Sequence, residues 1–170
     1  MCNLSQASEI ILVAGGIGIT PILSLLRQLF HIYTIRSSSG GSTSHNLPPL
    51  PPITVVWSVR QIFLLSVFSE QLLEVLRSHL SLSLITIKVH FTSSAIVPTA
   101  DFPLELKSVI SSGARPDIIG MFSKVKERSL GRDLKPSAVH VIACGPEPLT
   151  LSVQNCWCVT SPILSLFSAP

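Results

Sequence analysis

The segment ILVAGGIGITPILSLLRQL, residues 11–29, constrains the fold of this 170-residue chain more than any other part of the sequence. Its apolar start, together with Ile10, is typical of a buried β-strand over residues 10–14. Three glycines follow this strand within residues 15–18. Pro21 suits the first turn of a helix, where its missing N–H costs no hydrogen bond. Leucines then recur at helical spacing through residues 21–33. The segment therefore predicts a strand that turns sharply into a helix.

Strand-like and helix-like patterns alternate along the rest of the chain. The predicted strands cover residues 10–14, 53–59, 84–91 and 138–143. The predicted helices cover residues 21–33, 67–80, 102–110 and 116–128, with a last helix from the turn CGPEP to about Gln154. Because strands that alternate with helices form right-handed βαβ crossovers, we expect a parallel sheet. The predicted fold class is α/β, a doubly wound parallel sheet of the Rossmann-like type.

Two segments stand apart from this alternation. Residues 37–52, SSSGGSTSHNLPPLPP, form a low-complexity insertion of Ser, Gly and Pro that we expect to be exposed to solvent. Alternatively, its LPPLPP end is a polyproline ligand for a partner domain. Residues 156–170 have poor periodicity and are predicted to be a divergent or irregular C-terminal tail, which leaves residues 1–155 as the domain.

Composition excludes several classes of protein. Charged residues make up only 12% and the net charge is +3 without a basic stripe, so a nucleic-acid partner is not expected. Apolar residues reach 46%, but no apolar run attains the roughly 18 clean residues of a transmembrane segment. The four cysteines are not spaced as a disulfide framework, which favours a reducing compartment. The pair Cys156 and Cys158 is only half of a metal site, and no metal is expected.

The first group of candidate binding residues consists of the glycine turn, residues 15–18, and Thr20, which lies just before the predicted helix. Gly15, Gly16 and Gly18 let backbone N–H groups face an anion closely, and the N-terminus of the helix adds partial positive charge. Thr20 either caps the helix or donates to a phosphate oxygen. No Gly-Lys-Ser/Thr follows, which excludes a nucleoside-triphosphate loop, and the spacing is not GxGxxG. A purely structural tight turn is the alternative.

A second turn, the CGP turn (Cys144, Gly145 and Pro146), follows the last predicted strand. In a parallel sheet this turn and the glycine turn lie at the same carboxyl edge, which is where such sheets bind ligands. Taken alone, Cys144 is better explained as a small buried apolar residue.

Two arginines occupy comparable places. Arg60 follows the strand VVWSV directly, where a Rossmann-like domain reads the 2′ position of the adenosine ribose; an arginine there pairs with the 2′-phosphate of NADP. Arg115, in GARPD, is presented at the start of a helix. Each of them is, by itself, also explained as a solvated surface charge.

Taken in the order in which they occur along the chain, the two turns and the two arginines resemble the NAD(P)-binding half of the ferredoxin-NADP reductase superfamily. The resemblance is to the branch of ferric-chelate reductases and superoxide-generating NADPH oxidases. The pieces that carry the resemblance are VAGGIGITPILSLLRQL, VVWSVR, GARPDI and VIACGPEPL, which together span residues 10–154. The resemblance implies that residues 1–155 are an NAD(P)-binding domain.

The resemblance also implies roles for individual residues. Gly15, Gly16, Gly18 and Thr20 would contact the pyrophosphate of the cofactor. Arg60 and Arg115 would hold the adenosine ribose and its 2′-phosphate, which favours NADPH, with NADH as the alternative. Cys144, Gly145 and Pro146 would lie on the nicotinamide side, and Cys144 is the candidate catalytic residue beside the departing hydride.

The implied activity is that of an NAD(P)H oxidoreductase, which passes hydride to FAD and then electrons to ferric iron or oxygen. Because the chain begins nine residues before its first predicted strand, we expect neither a flavin-binding barrel nor haem-bearing helices within these 170 residues. The expected partners are therefore a flavin-binding domain and a haem transmembrane domain, in cis or in trans, at the cytoplasmic face of a membrane. The alternatives are a stand-alone, non-catalytic binding or interaction module and an inactive truncated remnant.

Overall fold

A computed structural model describes residues 7–38, 50–77, 84–93, 102–130, 139–160 and 166–168. Six strands form one sheet in the order β4-β3-β2-β1-β5-β6, and every neighbouring pair is parallel. The strands are β1 (Glu9–Gly15), β2 (Ile53–Val59), β3 (Ile85–Phe91), β4 (Ile110–Ser112), β5 (Val139–Cys144) and β6 (Leu166–Ser168). The helices are α1 (Ile19–Ser38), α2 (Ile62–Arg77), α3 (Leu104–Val109), α4 (Ile118–Leu130) and α5 (Glu147–Thr160). The predicted α/β fold is confirmed.

Strand β1 lies at the centre of the sheet and is covered on both faces. Ile10, Leu12 and Ala14 belong to one apolar cluster, shared with α1 and α2, whereas Ile11 and Val13 belong to a second cluster, shared with α4 and α5. All five side chains are fully buried. A strand that is covered on both faces needs a continuous apolar run, which explains why β1 shows no alternation of polar and apolar residues.

The order of the strands creates a switch point beside β1. The chain proceeds from β1 outward through β2, β3 and β4, and then returns to the other side of β1 as β5. At the carboxyl edge, Ala14 pairs with Cys144 on one side, while Gly15 pairs with Ser58 on the other. The connections after β1 and β5 therefore leave the sheet in opposite directions and open a crevice, the usual ligand site of open α/β sheets.

Several helix boundaries differ from the sequence prediction. Helix α2 begins at Ile62 rather than at residue 67, because Leu65 and Phe68 both face the core and extend the apolar stripe toward the N-terminus. Residues 78–80 of the predicted helix lie outside the described residues. The predicted helix over residues 102–110 ends at Val109, and the next three residues form β4, which is too short to leave an apolar pattern.

The predicted irregular tail needs correction at its start. Helix α5 continues through residue 156 to Thr160, and Leu166–Ser168 pairs in parallel with β5. The helix continues because Val153 and Trp157, four residues apart, are both buried against the second cluster, where Trp157 meets Phe122 edge-on at 4.8 Å between ring centroids. The boundary expected between residues 155 and 156 therefore falls inside a packed helix.

The end of the low-complexity insertion also differs from the expectation of an exposed loop. Residues 39–49 lie outside the described residues, but Leu50 and Pro51 are buried, and Leu50 belongs to the first apolar cluster. The N–H of Ile10 donates to the carbonyl of Pro52 at 2.9 Å, so the sheet ladder begins there. The described part of LPPLPP is therefore held against the core and is not free to bind a partner as a polyproline ligand.

No helix among the described residues is long and apolar enough to cross a membrane.

The packing of Trp157 predicts the contribution of the C-terminal helix to stability. Trp157→Ala removes a buried ring and its edge contact, and should lower the free energy of unfolding by about 3–5 kcal/mol. Asn155→Ala, which changes an exposed residue of the same helix, is the matched control and should stay within about 0.5 kcal/mol of the wild type. Urea unfolding of the full chain measures both; equal stability of the two variants would show that α5 does not pack as described.

Candidate functional site at the carboxyl edge of the sheet

The glycine turn joins β1 to α1 through a single turn of 3-10 helix, Gly16–Gly18. Gly16 has a φ of +54°, a left-handed conformation that favours glycine, and a Cβ placed on it would meet nothing within 4 Å. The N–H of Ile19 donates back to the carbonyl oxygens of Gly16 and Ile17, which closes the turn. The outer side of Gly16 is thus open, so a ligand can approach the backbone there.

The glycine turn and the CGP turn touch each other. A Cβ on Gly18 would fall onto the carbonyl group of Cys144, 2.6 Å from its carbon. A Cβ on Gly145 would lie 2.8 Å from the backbone nitrogen of Gly15. Because β1 and β5 are neighbours, only glycine at these positions lets their two turns approach this closely. The sequence prediction that both turns lie at one edge agrees with this geometry.

Thr20 lies exposed in the first turn of α1, where its hydroxyl donates to the carbonyl oxygen of Ile17 at 3.0 Å. Its proton is therefore held within the turn. To donate to a phosphate oxygen, as expected from the sequence, the hydroxyl has to give up this hydrogen bond.

Arg60 and Arg115, far apart in the sequence, line the same two adjoining clefts. The first, the turn cleft, has a volume of about 470 Å³ and also includes Gly15, Gly16 and Pro146. The second, the arginine cleft, has a volume of about 360 Å³ and is lined by Arg60, Thr92, Ser93 and Arg115. Among the described residues, none that lines either cleft is acidic. The arginine cleft therefore carries two positive charges and suits an anion.

Sequence reasoning missed Thr92 and Ser93, because single hydroxyl residues after a strand are common and carry little signal. Their position was nonetheless readable, since they directly follow β3 as Arg60 follows β2. The N–H of Thr92 donates to the carbonyl oxygen of Val59 at 2.8 Å, which ties the end of β3 to the end of β2. This bond places the two hydroxyl residues in the cleft beside Arg60.

The start of α4 presents Arg115 to the clefts. Asp117 caps the helix: its Oδ1 accepts the N–H of Gly120 at 2.9 Å. On the other side, the N–H of Gly113 donates to the carbonyl oxygen of Phe91 at 2.9 Å. The loop that carries Arg115 is therefore tied to β3 before it and to the helix start after it. The helix was predicted to begin at residue 116, whereas α4 begins two residues later, at Ile118.

His90, which the sequence analysis did not assign to the site, supports the same loop from β3. Its Nδ1 lies 3.2 Å from Ser111 Oγ, and its ring hydrogen-bonds to the backbone of Ala114. Burial lowers the pKa of His90 below its ordinary value of 6.5; the bond to Ala114 opposes this shift, and the charge of Lys88 adds to it. At neutral pH the neutral ring is therefore the favoured form in the folded chain.

Cys144 ends β5 and is half-buried, with a free thiol. Gly145 lies half-buried against Gly15, and Pro146 lines the turn cleft. The three residues predicted for the nicotinamide side are thus adjacent to the glycine turn. Within the described part of the chain, no group of three His, Cys, Asp or Glu side chains could hold a metal ion. The side chain of Cys158 lies outside it.

The two clefts have the size and the chemistry of a site for a phosphate-bearing small molecule. Their volumes lie in the range usual for small-molecule sites, and they combine open backbone at Gly16 with two guanidinium groups. A parallel sheet whose glycine turn and second turn meet at the switch point defines a Rossmann-like nucleotide-binding domain as the class.

Comparison with known proteins gives the family. Residues 7–105, over half of the chain, match the family model of the ferric reductase NAD binding domain. The chain belongs to this family. The resemblance to the NAD(P)-binding domain of ferric reductases, inferred from the sequence motifs, is thereby confirmed. No curated protein gives a significant match.

Solved structures show the same fold. A ferredoxin NADP+ reductase from Neisseria gonorrhoeae, solved with bound FAD and NADP, is 18% identical with a TM-score of 0.52, over 95% of this chain and 56% of that one. A mutant ferredoxin-NADP+ reductase from Plasmodium falciparum, solved with 2′P-AMP, is 14% identical with a TM-score of 0.55, over 99% of this chain and 57% of that one. The chain therefore spans a little over half the length of these reductases.

The contact between the turns predicts unequal effects of two alanine substitutions. Gly18→Ala forces a methyl group onto the Cys144 carbonyl and should lower the free energy of unfolding by about 3 kcal/mol. Gly16→Ala meets open space and costs only the strain of a left-handed residue, about 1 kcal/mol. Urea denaturation of both variants checks the order; a larger loss for Gly16→Ala would contradict the described packing.

The pKa of His90 predicts a pH dependence of stability. Because this pKa is lower in the folded chain than 6.5, the unfolded chain binds the proton more tightly. The contribution of His90 is therefore complete above about pH 6.5 and is lost as the pH falls through the folded pKa. His90→Gln should flatten the fall in unfolding free energy between pH 7 and pH 5, measured by urea titrations. His31→Gln, at an exposed histidine of α1, is the control variant.

Proposed function

We propose that this chain binds NAD(P)H in the two adjoining clefts and presents the nicotinamide to a flavin held by a separate domain. The observation that carries the proposal is the meeting of Arg60 and Arg115 in a cleft that continues into the glycine turn. An extended ligand with phosphate groups at two places matches this layout. Membership of the ferric reductase NAD-binding family supports it.

The pyrophosphate is assigned to the glycine turn. Gly16 offers open backbone, and the turn leads directly into α1, a helix of 20 residues. The N-terminus of such a helix carries about half a positive charge and unpaired N–H groups, both of which stabilise an anion. Gly15 and Gly18 contribute by leaving room for the CGP turn. The Thr20 hydroxyl can donate to a phosphate oxygen only after it gives up its hydrogen bond to the Ile17 carbonyl.

The adenosine 2′-phosphate is assigned to the arginine cleft, which favours NADPH over NADH. Two guanidinium groups can satisfy several phosphate oxygens, whereas a plain ribose offers neither of them a negative charge. Ser93 adds a hydroxyl residue, and the Thr92 hydroxyl, which donates to the Val59 carbonyl at 3.4 Å, has to leave that bond to join them. Arg60 occupies the position directly after β2. An acidic residue at this position would favour NAD, because it would bond the ribose hydroxyl.

The nicotinamide is assigned to the CGP turn. When bound, NAD(P)H supplies a hydride to the flavin and is released as NAD(P)⁺. Cys144, Gly145 and Pro146 would orient the ring and exclude water from it, with Pro146 at the lining of the turn cleft. Cys144 packs against the first apolar cluster and lines neither cleft, and it is the candidate catalytic residue beside the nicotinamide. Hydride transfer requires donor and acceptor in close contact, so the flavin-binding domain must approach this edge of the sheet.

The family supports a proposal for the wider assembly. We place the chain as the nucleotide module of a ferric reductase or NADPH oxidase, which passes electrons from FAD to ferric iron or oxygen. Its partners would be a flavin-binding domain and a haem transmembrane domain, in cis or in trans, at the cytoplasmic face of a membrane.

Replacement of the arginines tests the assignment of the 2′-phosphate. Arg60→Ala and Arg115→Ala should each weaken the binding of NADPH by about tenfold or more, because each removes a charge-assisted hydrogen bond. The affinity for NADH should change much less. Titration calorimetry of the full chain with both nucleotides measures the ratio.

Lys126→Ala, which removes an exposed positive charge from α4 outside both clefts, is the matched control and should leave the ratio unchanged. If the wild-type chain binds neither nucleotide at millimolar concentration, the proposed function is wrong. If it binds both but the arginine variants keep the wild-type ratio, only the 2′-phosphate assignment fails.

A further inference from the structure

Trp57 reaches from the middle of the sheet to the glycine turn. It lies in β2, is fully buried, and its indole Nε1–H donates to the carbonyl oxygen of Gly16 at 2.8 Å. Phe68 of α2 packs edge-on against the indole, with ring centroids 6.1 Å apart and planes at 86°. The ring is therefore held from below by the core, and its one polar atom points at the turn.

This hydrogen bond completes the set of bonds to the Gly16 carbonyl. A carbonyl oxygen accepts two hydrogen bonds, and here they come from the N–H of Ile19 and from the indole. A buried indole N–H needs a hydrogen-bond acceptor, and an acceptor within its own strand or helix would satisfy it equally well. In this chain the partner belongs to another element, so the bond fixes the turn relative to β2.

The bond also sets the direction of a backbone donor. All described peptide bonds are trans, so the N–H of Ile17 points opposite to the carbonyl of Gly16. Since that carbonyl points inward to the indole, the Ile17 N–H points away from the core, toward the side where its own side chain is 64% exposed. A Cβ on Gly16 would meet nothing within 4 Å, so the peptide is oriented from its inner side, by the Ile19 N–H within the turn and by the indole from β2.

We propose that Trp57 is a positioning residue for the pyrophosphate of the dinucleotide. Its indole N–H holds the Gly16–Ile17 peptide so that the Ile17 N–H faces the ligand. Because Trp57 lies three residues before Arg60 on the same chain segment, it also keeps the pyrophosphate turn at a fixed distance from the arginine cleft. The inference rests on the proposed function, since it presumes a dinucleotide at this edge.

Trp57→Phe tests the inference, because phenylalanine keeps an aromatic ring in the core but lacks the N–H. Calorimetry of the full chain should show the affinities for NADPH and for NADH lowered by the same factor, about tenfold. The affinity for adenosine 2′-monophosphate, which reaches the arginine cleft but has no pyrophosphate, should stay at the wild-type value. This selectivity separates orientation of the turn from general loosening of the domain.

Phe68→Leu is the matched control, since it disturbs the packing around the indole and leaves the N–H in place. It should lower the stability and leave the affinity for NADPH within about twofold of the wild type. Wild-type affinity of Trp57→Phe for NADPH would overturn the inference, and so would an equal loss for adenosine 2′-monophosphate. If the wild type itself binds neither nucleotide, the proposed function has failed instead.

A measurement on the unaltered chain keeps the inference testable even if Trp57→Phe does not fold. The two tryptophans give two indole N–H resonances in a nitrogen-15 NMR spectrum, and Trp157→Phe assigns them. Addition of NADP⁺ should shift the Trp57 resonance, because a ligand on the Ile17 N–H polarises the peptide that the indole bonds to. Adenosine 2′-monophosphate should not shift it. A Trp57 resonance that NADP⁺ leaves unmoved would overturn the proposal.

Discussion

The close contact between the glycine turn and the CGP turn is the constraint on which the rest of the site depends. Gly18 lies against the carbonyl of Cys144, and Gly145 lies against the backbone of Gly15. Any side chain at these positions would push the ends of β1 and β5 apart, although the two strands are paired along their length. The absence of these two Cβ atoms therefore lets the two turns meet at the switch point of the sheet, beside the turn cleft.

The sheet connects the arginine cleft to the two turns. β2 carries Trp57, which bonds the glycine turn, and it ends in Arg60, which lines both clefts. β3 adds Thr92 through a bond to Val59, and supports the loop of Arg115 through His90. A rigid parallel sheet thus positions loop residues from four connections, which by themselves have no fixed relation to one another.

Local patterns predicted those features that depend on local physics. The β-branched run of residues 53–59 is buried on both sides and was predicted with its observed bounds. The predictions failed where a distant neighbour decides the outcome. β4 exists because it pairs with β3, α5 runs past residue 156 because Trp157 packs on Phe122, and Leu50 is buried because the first apolar cluster accepts it. β4 and the segment around Leu50 are too short to leave a periodic signal of their own. In α5 the pair Val153 and Trp157 has helical spacing, but only the packing on Phe122 shows that both are buried.

By itself, the sequence determined the class of fold, the two turns at one edge and the two arginines at the ends of their elements, because strand periodicity, glycine and proline act within a few residues. Only the tertiary structure decided that Arg60 and Arg115 line one cleft, that Thr92 and Ser93 join them, and that the indole of Trp57 reaches Gly16. These contacts join residues that are far apart along the chain. Their distances are set by the pairing and packing of whole strands, which no single segment encodes.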